Sequence, residues 1–282
     1  MEFIRDYTED GLRLQGTYFE AKEKDICIVM VHGMCGTIID NYFAYVWGNE
    51  LSRNNIGLIY GHNRGHSIEN DIVMKDGSFK RYGTMYEIFE DSIYDIDLWI
   101  KKAYELGYKR IILLGHSFGC NKVVYYYYKK RPGILGIILA SAPDMQGSSI
   151  QNEKDYYKLL EEAKKNIDNN EPRKLLSKMV EDYMYMSSQT YYNWFKEGSN
   201  VDIFPILRNP AKWEQFSYID VPILTFSGSC EEPLYLNLEI LKEKAINCPS
   251  FDFKIIKGAQ HTYEGYELET IDCIIKWINK NE

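Results

Sequence analysis

Nowhere in the 282 residues is there a run of ~18 uncharged apolar positions of the kind that spans a bilayer. The opening segment, Met1-Glu2-Phe3-Ile4-Arg5-Asp6, carries charge where a secretory signal needs an apolar stretch. Both absences predict a soluble, cytoplasmic protein. Positive charge is in deficit as well: 33 Lys and Arg face 41 Asp and Glu, for a net charge of −8. No general basic footprint exists for phosphate backbones or anionic lipid, so nucleic acid and membrane surfaces are not expected partners. Cysteine is sparse, and the six residues (Cys27, Cys35, Cys120, Cys230, Cys248, Cys273) show no C-x-x-C spacing. They read as reduced thiols, not as a disulfide framework or a zinc site. Repeats and low-complexity segments are missing too. What is there, 45% hydrophobic and 26% charged residues, is the composition of a folded globular domain.

Short apolar, β-branched runs alternate with longer segments of helical period, the pattern of a sheet built from strand-helix-strand units. Residues 25–32, 56–62, 110–116, 134–141, 221–227 and 251–257 are apolar almost throughout, as strands covered on both faces are. The first twenty residues add an antiparallel edge. Between 87 and 106, Phe89, Ile93, Ile96, Ile100 and Ala103 recur in steps of four and three, which predicts an amphipathic helix. Leu268, Ile271, Ile275 and Ile278 predict a second one over 266–279. One interval, from 141 to 221, is far longer than a crossover needs. Within it, 155–167 and 173–186 read as helices separated by the polar break 168–172 and followed by Tyr191, Tyr192, Trp194 and Phe195. The expected organisation is a core of residues 1–144 and 220–282 with a helical cap inserted at 145–219.

The chemistry is concentrated where apolar runs end. Gly115-His116-Ser117-Phe118-Gly119 directly follows the run at 110–116 and precedes a helix-forming segment. A G-x-S-x-G pentapeptide alone arises by chance in roughly one chain in ten of this length, so its place between strand and helix is what gives it weight. Two glycines allow a cramped turn that lifts the serine hydroxyl clear of the backbone, and the helix N-terminus presents N–H groups to developing negative charge. His32-Gly33-Met34 ends the run at 25–32, which should neighbour the serine strand. The backbone N–H groups of Met34 and Phe118 are the candidates for holding an oxyanion.

A serine hydroxyl needs a base to take its proton. Of five histidines, His116 lies inside the pentapeptide and points away, His32 belongs to the Gly33 turn, and His62 and His66 follow an earlier strand. His261 remains, in a loop between the last apolar run and the last helix. The imidazole in turn needs a carboxylate from the same sheet edge. Glu231, in Ser227-Gly228-Ser229-Cys230-Glu231-Glu232, is best placed; Glu232 and Asp144 are the alternatives.

Together these residues resemble the α/β-hydrolase superfamily, in particular capped serine hydrolases similar to carboxylesterases and serine aminopeptidase-like hydrolases. The likeness runs from the His32-Gly33 turn to His261. Two departures stand out: His62-Asn63-Arg64-Gly65-His66 has Asn63 where the family carries Asp, and Glu231 stands where the family's acid is usually Asp. The resemblance implies an α/β fold with a mostly parallel twisted sheet, helices on both faces and an inserted helical cap. It also implies hydrolysis of a small-molecule ester, thioester or amide through an acyl-enzyme, with no metal or organic cofactor required. Tyr191 and Trp194 of the cap are the candidates for contacting substrate, unless they form the cap's own core. A non-catalytic binding protein on the same fold is the alternative from another class, and retention of Ser117, His261 and an acid weighs against it.

Overall fold

The computed structural model describes residues 1–208, 212–231 and 237–282. In chain order the strands are β1 (Glu2–Tyr7), β2 (Arg13–Phe19), β3 (Ile26–Val31), β4 (Ile56–Gly61), β5 (Asn70–Val73), β6 (Phe79–Tyr82), β7 (Arg110–His116), β8 (Gly136–Ala140), β9 (Ile223–Gly228) and β10 (Phe251–Ile256). The helices are α1 (Tyr42–Arg53), α2 (Ser92–Glu105), α3 (Phe118–Lys130), α4 (Met145–Asn152), α5 (Tyr156–Asp168), α6 (Ser188–Phe195), α7 (Glu214–Ser217), α8 (Leu238–Lys244) and α9 (Glu267–Asn281). Eight strands form one sheet in the order β1-β2-β4-β3-β7-β8-β9-β10, parallel from β4 to β10, with β1 and β2 antiparallel at one edge.

Five of the six apolar runs become strands covered twice; the run at 251–257 is not covered twice, because β10 is the edge strand and leaves Phe253 and Ile255 exposed. On one face Cys27, Val29, Val31, Ile111, Leu113, Ile137 and Leu139 pack with Ile96 and Ala103 of α2 and Val123 and Val124 of α3. On the other, Ile28, Met30, Ile112, Leu114, Ile138 and Phe226 pack with Trp47 of α1 and with Ile271, Ile274 and Trp277 of α9. Each fully buried side chain of this size contributes ~1.5–3 kcal/mol of transfer free energy. Glycines thin the sheet where helices press on it: a Cβ on Gly61 would meet the Trp99 ring.

Register fixes the functional edge. Val31 pairs with Gly115, His116 with Ala140 and Ala140 with Phe226. The carboxyl ends of β3, β7, β8 and β9 therefore release their loops at one level, where open α/β sheets hold ligands.

Three further local expectations needed correction. The 87–106 helix begins later, as a 3-10 turn over Phe89–Asp91 leading into α2. In α9 the buried stripe is Thr270, Ile271, Ile274, Trp277 and Ile278, and Leu268 is exposed. Residues 173–186 are not helical. Leu176 N–H donates to Met186 O and Val180 N–H to Met184 O, with Glu181 and Asp182 at φ of 52° and 53°, so the segment doubles back as an irregular ribbon. A helix has no place for two successive left-handed residues.

The β8–β9 interval carries α4 to α7 joined by long irregular stretches, and its core is not separate. Tyr156, Leu159, Tyr191, Trp194 and Phe195 belong to the same apolar cluster as Phe118 and the α2/α3 face of the sheet. Ser187 N–H donates to Met85 O, and Phe89 N–H to Asn193 Oδ1.

Candidate active site

Ser117 sits between the last residue of β7 and the first of α3 with φ 53° and ψ −129°. A non-glycine residue held there stores ~1–3 kcal/mol, and such strain persists only where the surroundings enforce it. The enforcement is visible. Ser117 N–H donates to Ala140 O at 2.8 Å, and a Cβ on Gly119 would lie 2.1 Å from Val31 O, so only glycine lets α3 start this close to β3. Cys35, Ser141 and Tyr263, all around the same sheet edge, also have positive φ.

His261 follows β10 at that edge. Its Nδ1 lies 2.7 Å from Glu231 Oε2, in the loop after β9. Glu231 is wholly buried at its side chain, while His261 is about one-third exposed. Glu231 Oε1 accepts from Ser141 Oγ at 2.7 Å and from Gly228 N–H, and Ser141 Oγ is also bonded to Tyr263 OH. Because a carboxylate only accepts, Nδ1 of a neutral His261 carries the proton and Nε2 the lone pair. The His261 carbonyl accepts from His116 Nε2 at 2.9 Å, and the two imidazole centroids are 4.8 Å apart. The residue before Ser117 thus anchors the backbone of His261. Burial, then the neighbouring His261, pushes the His116 pKa down to about 3, so His116 stays a neutral donor.

The Gly33 turn is fixed by a second buried histidine. His32 Nε2 accepts from Asn63 N–H at 2.8 Å and Nδ1 donates to Gly33 O at 2.7 Å, which assigns its tautomer; burial holds its pKa well below the usual imidazole range. Gly33 O and Met34 N–H belong to one trans peptide and point in opposite directions, so anchoring the carbonyl aims the N–H. A Cβ on Gly33 would be 2.8 Å from Ser117 Cβ, which shows how near this turn runs to the serine. Phe118 opens α3, where its N–H has no carbonyl one turn back to donate to.

The other candidates fall elsewhere. Asp144 caps α4 through Gly147 N–H at 2.7 Å and also binds Leu207 N–H and Arg208, so its oxygens serve the β8–α4 junction. Glu232 lies outside the described residues. His62 and His66 stack at 4.2 Å, and His62 Nε2 accepts from Ile38 N–H. A cavity of about 270 Å³ beside Met34 is lined by Pro143, Met145, Met184, Trp194 and Phe195 among others. Trp194 reaches it, its ring 4.4 Å from Phe118. Tyr191 does not: it is buried against Phe195 with its hydroxyl on Tyr156 O, in the interior of the insertion. Chain-order reasoning missed Ser141, Tyr263 and the anchoring by His116. The one available signal was a serine directly after the strand next to the pentapeptide. Among the described residues no cluster of His, Cys, Asp and Glu could hold a metal ion, and no helix is long and apolar enough to cross a membrane.

Residues 90–279, well over half of the chain, match a family described as a protein of unknown function, DUF1749. The chain belongs to this family. No curated protein matches the sequence. Solved structures similar to this DUF1749 member include Est1E from Butyrivibrio proteoclasticus, at 14% identity over 98% of each chain with a TM-score of 0.62. A soluble variant of monoglyceride lipase from Saccharomyces cerevisiae is 13% identical over 99% of this chain and 94% of that one, with a TM-score of 0.68. The α/β hydrolase GrgF from Penicillium sp. sh18 is 12% identical over 99% and 96%, with a TM-score of 0.62. The fold of this DUF1749 chain is the α/β-hydrolase fold.

Proposed function

We propose that the protein is a serine hydrolase that cleaves small carboxylic esters through an acyl-enzyme. The observation that carries this reading is the buried Glu231 carboxylate 2.7 Å from His261 Nδ1, with the His261 backbone tied to His116, the residue before a strained serine. In this reading His261 Nε2 takes the Ser117 proton as Oγ attacks the ester carbonyl. Glu231 holds the tautomer and stabilises the imidazolium. Charge developing on the carbonyl oxygen is met by the Met34 and Phe118 N–H groups, an arrangement worth several kcal/mol in a dry site. His261 then passes the proton to the leaving alkoxide, and a water activated by the same imidazole releases the acid.

Residues 145–219 act as the cap that shapes the acyl site. The cavity is near the lower end of the ~300–1,000 Å³ typical of ligand pockets, and its thioether and aromatic walls favour short apolar groups. The name of one structural neighbour, a monoglyceride lipase, agrees with ester chemistry. Glu181 is among the residues lining the cavity, which supports amides with a free amine as a second reading.

The test is labelling by a fluorophosphonate read by intact mass, with Ser117→Ala and His261→Ala alongside. One adduct on the wild type that both variants lack is the expected result, followed by turnover of short-chain p-nitrophenyl esters above aminoacyl amides. Folded wild type that takes no adduct refutes the mechanism; faster turnover of aminoacyl amides favours the second reading.

A further inference from the structure

Beside the Phe118 ring lies a buried ion pair that the mechanism above does not use. Lys122, one turn into α3 from Phe118, is wholly buried, and its Nζ lies 2.7 Å from Glu87 Oε2, itself 1% exposed. The ammonium is 5.0 Å from the centre of the Phe118 ring. Its charge also reaches the neighbouring turn: burial first, and then the Lys122 charge, holds the His32 pKa well below the usual imidazole range, and the same charge acts on Cys35. The segment 32–35 and the first turn of α3, the two suppliers of the proposed oxyanion donors, therefore share one buried cation.

Stability does not account for this pair. Desolvating two charges is expensive, and well-packed apolar residues in their place are often as stable or more so. The pair is also incompletely satisfied: Glu87 Oε1 has no hydrogen-bond partner, an omission that costs ~1–3 kcal/mol. Glu87 fills the space over Gly65, where a Cβ would fall 2.2 Å from Oε2.

We propose that Lys122, oriented by Glu87, is a positioning residue that holds positive potential behind the Met34 and Phe118 N–H groups and so favours the oxyanion over the neutral ester. It touches no substrate. Its effect belongs to the transition state and to tetrahedral adducts, and it rests on the serine-hydrolase reading.

The experiment compares wild type with the uncharged double variant Lys122→Met/Glu87→Leu, using p-nitrophenyl acetate kinetics, fluorophosphonate inactivation rates and thermal unfolding. The expected result is kcat lower by about tenfold to a hundredfold, less than the ~10²–10³ that follows loss of a direct donor. KM should stay within about threefold, inactivation should slow in parallel, and Tm should be equal or higher. A purely structural pair would lower Tm and leave kcat of the folded fraction unchanged, which overturns the proposal. Should the double variant not fold, Lys122→Arg and Lys122→Gln ask the same question: the first retains most of the activity and the second does not, and equal loss in both overturns it. Wild type that takes no fluorophosphonate fails at the hydrolase reading instead, so the two failures are distinguishable.

Discussion

Replacing Glu231 by Gln tests the acid with little change of shape. The Gln amide oxygen, standing where Oε1 is, still accepts from Ser141 Oγ and Gly228 N–H. The amide nitrogen then faces His261 Nδ1, donor against donor, across a contact that is 2.7 Å in the native protein. The imidazole relieves this by moving its proton to Nε2, and the nitrogen that must accept the Ser117 proton loses its lone pair. The wrong tautomer costs about 10³–10⁴ in kcat, equivalent to ~4–5.5 kcal/mol of transition-state stabilisation. Stability should change less, by the ~1.5–3 kcal/mol of one charge-assisted hydrogen bond. Steady-state hydrolysis of p-nitrophenyl acetate, together with urea unfolding, reads both quantities on the same preparation. Asp144→Asn is the companion: it weakens the cap of α4 and the Arg208 contact, so stability falls while kcat of the folded enzyme stays near wild type. A Glu231→Gln enzyme that keeps more than a tenth of its kcat, beside an Asp144→Asn enzyme that loses a thousandfold, refutes the assignment of the acid.

Three further outcomes are expected. Burial lowers the imidazole pKa of His62 and His116 to about 3 and that of His32 well below normal. The unfolded chain takes up these protons below ~6.5, so stability present above that pH is lost as pH falls from 6.5 toward 3; urea midpoints at pH 8, 6 and 5 should show it, and His62→Gln should flatten the slope. Gly119→Ala drives a methyl into the Val31 carbonyl and should cost about 3 kcal/mol or abolish folding, whereas Gly133→Ala, with nothing within 4 Å, should be neutral or slightly stabilising in thermal melts. Trp194→Ala removes a cavity wall, so the preferred p-nitrophenyl ester should lengthen while stability drops by ~3–5 kcal/mol; an unchanged chain-length profile counts against this cavity as the acyl site.

The sheet was legible because strands buried on both faces announce themselves as apolar runs, and the loop at their ends could be ranked by chain order. Ser117, Glu231 and His261 were singled out that way, and Glu231 and His261 meet in the structure. The β5–β6 hairpin escaped notice: Asn70–Val73 and Phe79–Tyr82 are short, mostly polar or exposed strands. In 173–186 the buried Leu176, Val180 and Met184 lie four apart and imitate a helix, while the reversal at Glu181 and Asp182 depends on backbone torsions that no apolar pattern records. Tyr191 and Trp194 sit three residues apart on α6, yet one faces Tyr156 and Phe195 and the other Phe118; which side meets the cavity is set by packing partners distant in the chain. Lys122 and Glu87 are 35 residues apart in the chain, and only the tertiary fold buries them together.

Because Trp194 packs on Phe118, and Tyr156, Leu159 and Phe195 share an apolar cluster with α3, the segment between β8 and β9 is not an interchangeable cassette. A chimaera that imports this segment from another DUF1749 chain inherits a mismatch at the first residue after the serine. Evolving or engineering a new substrate preference here therefore requires paired changes across the seam, with the host's α3 rewritten to suit the guest.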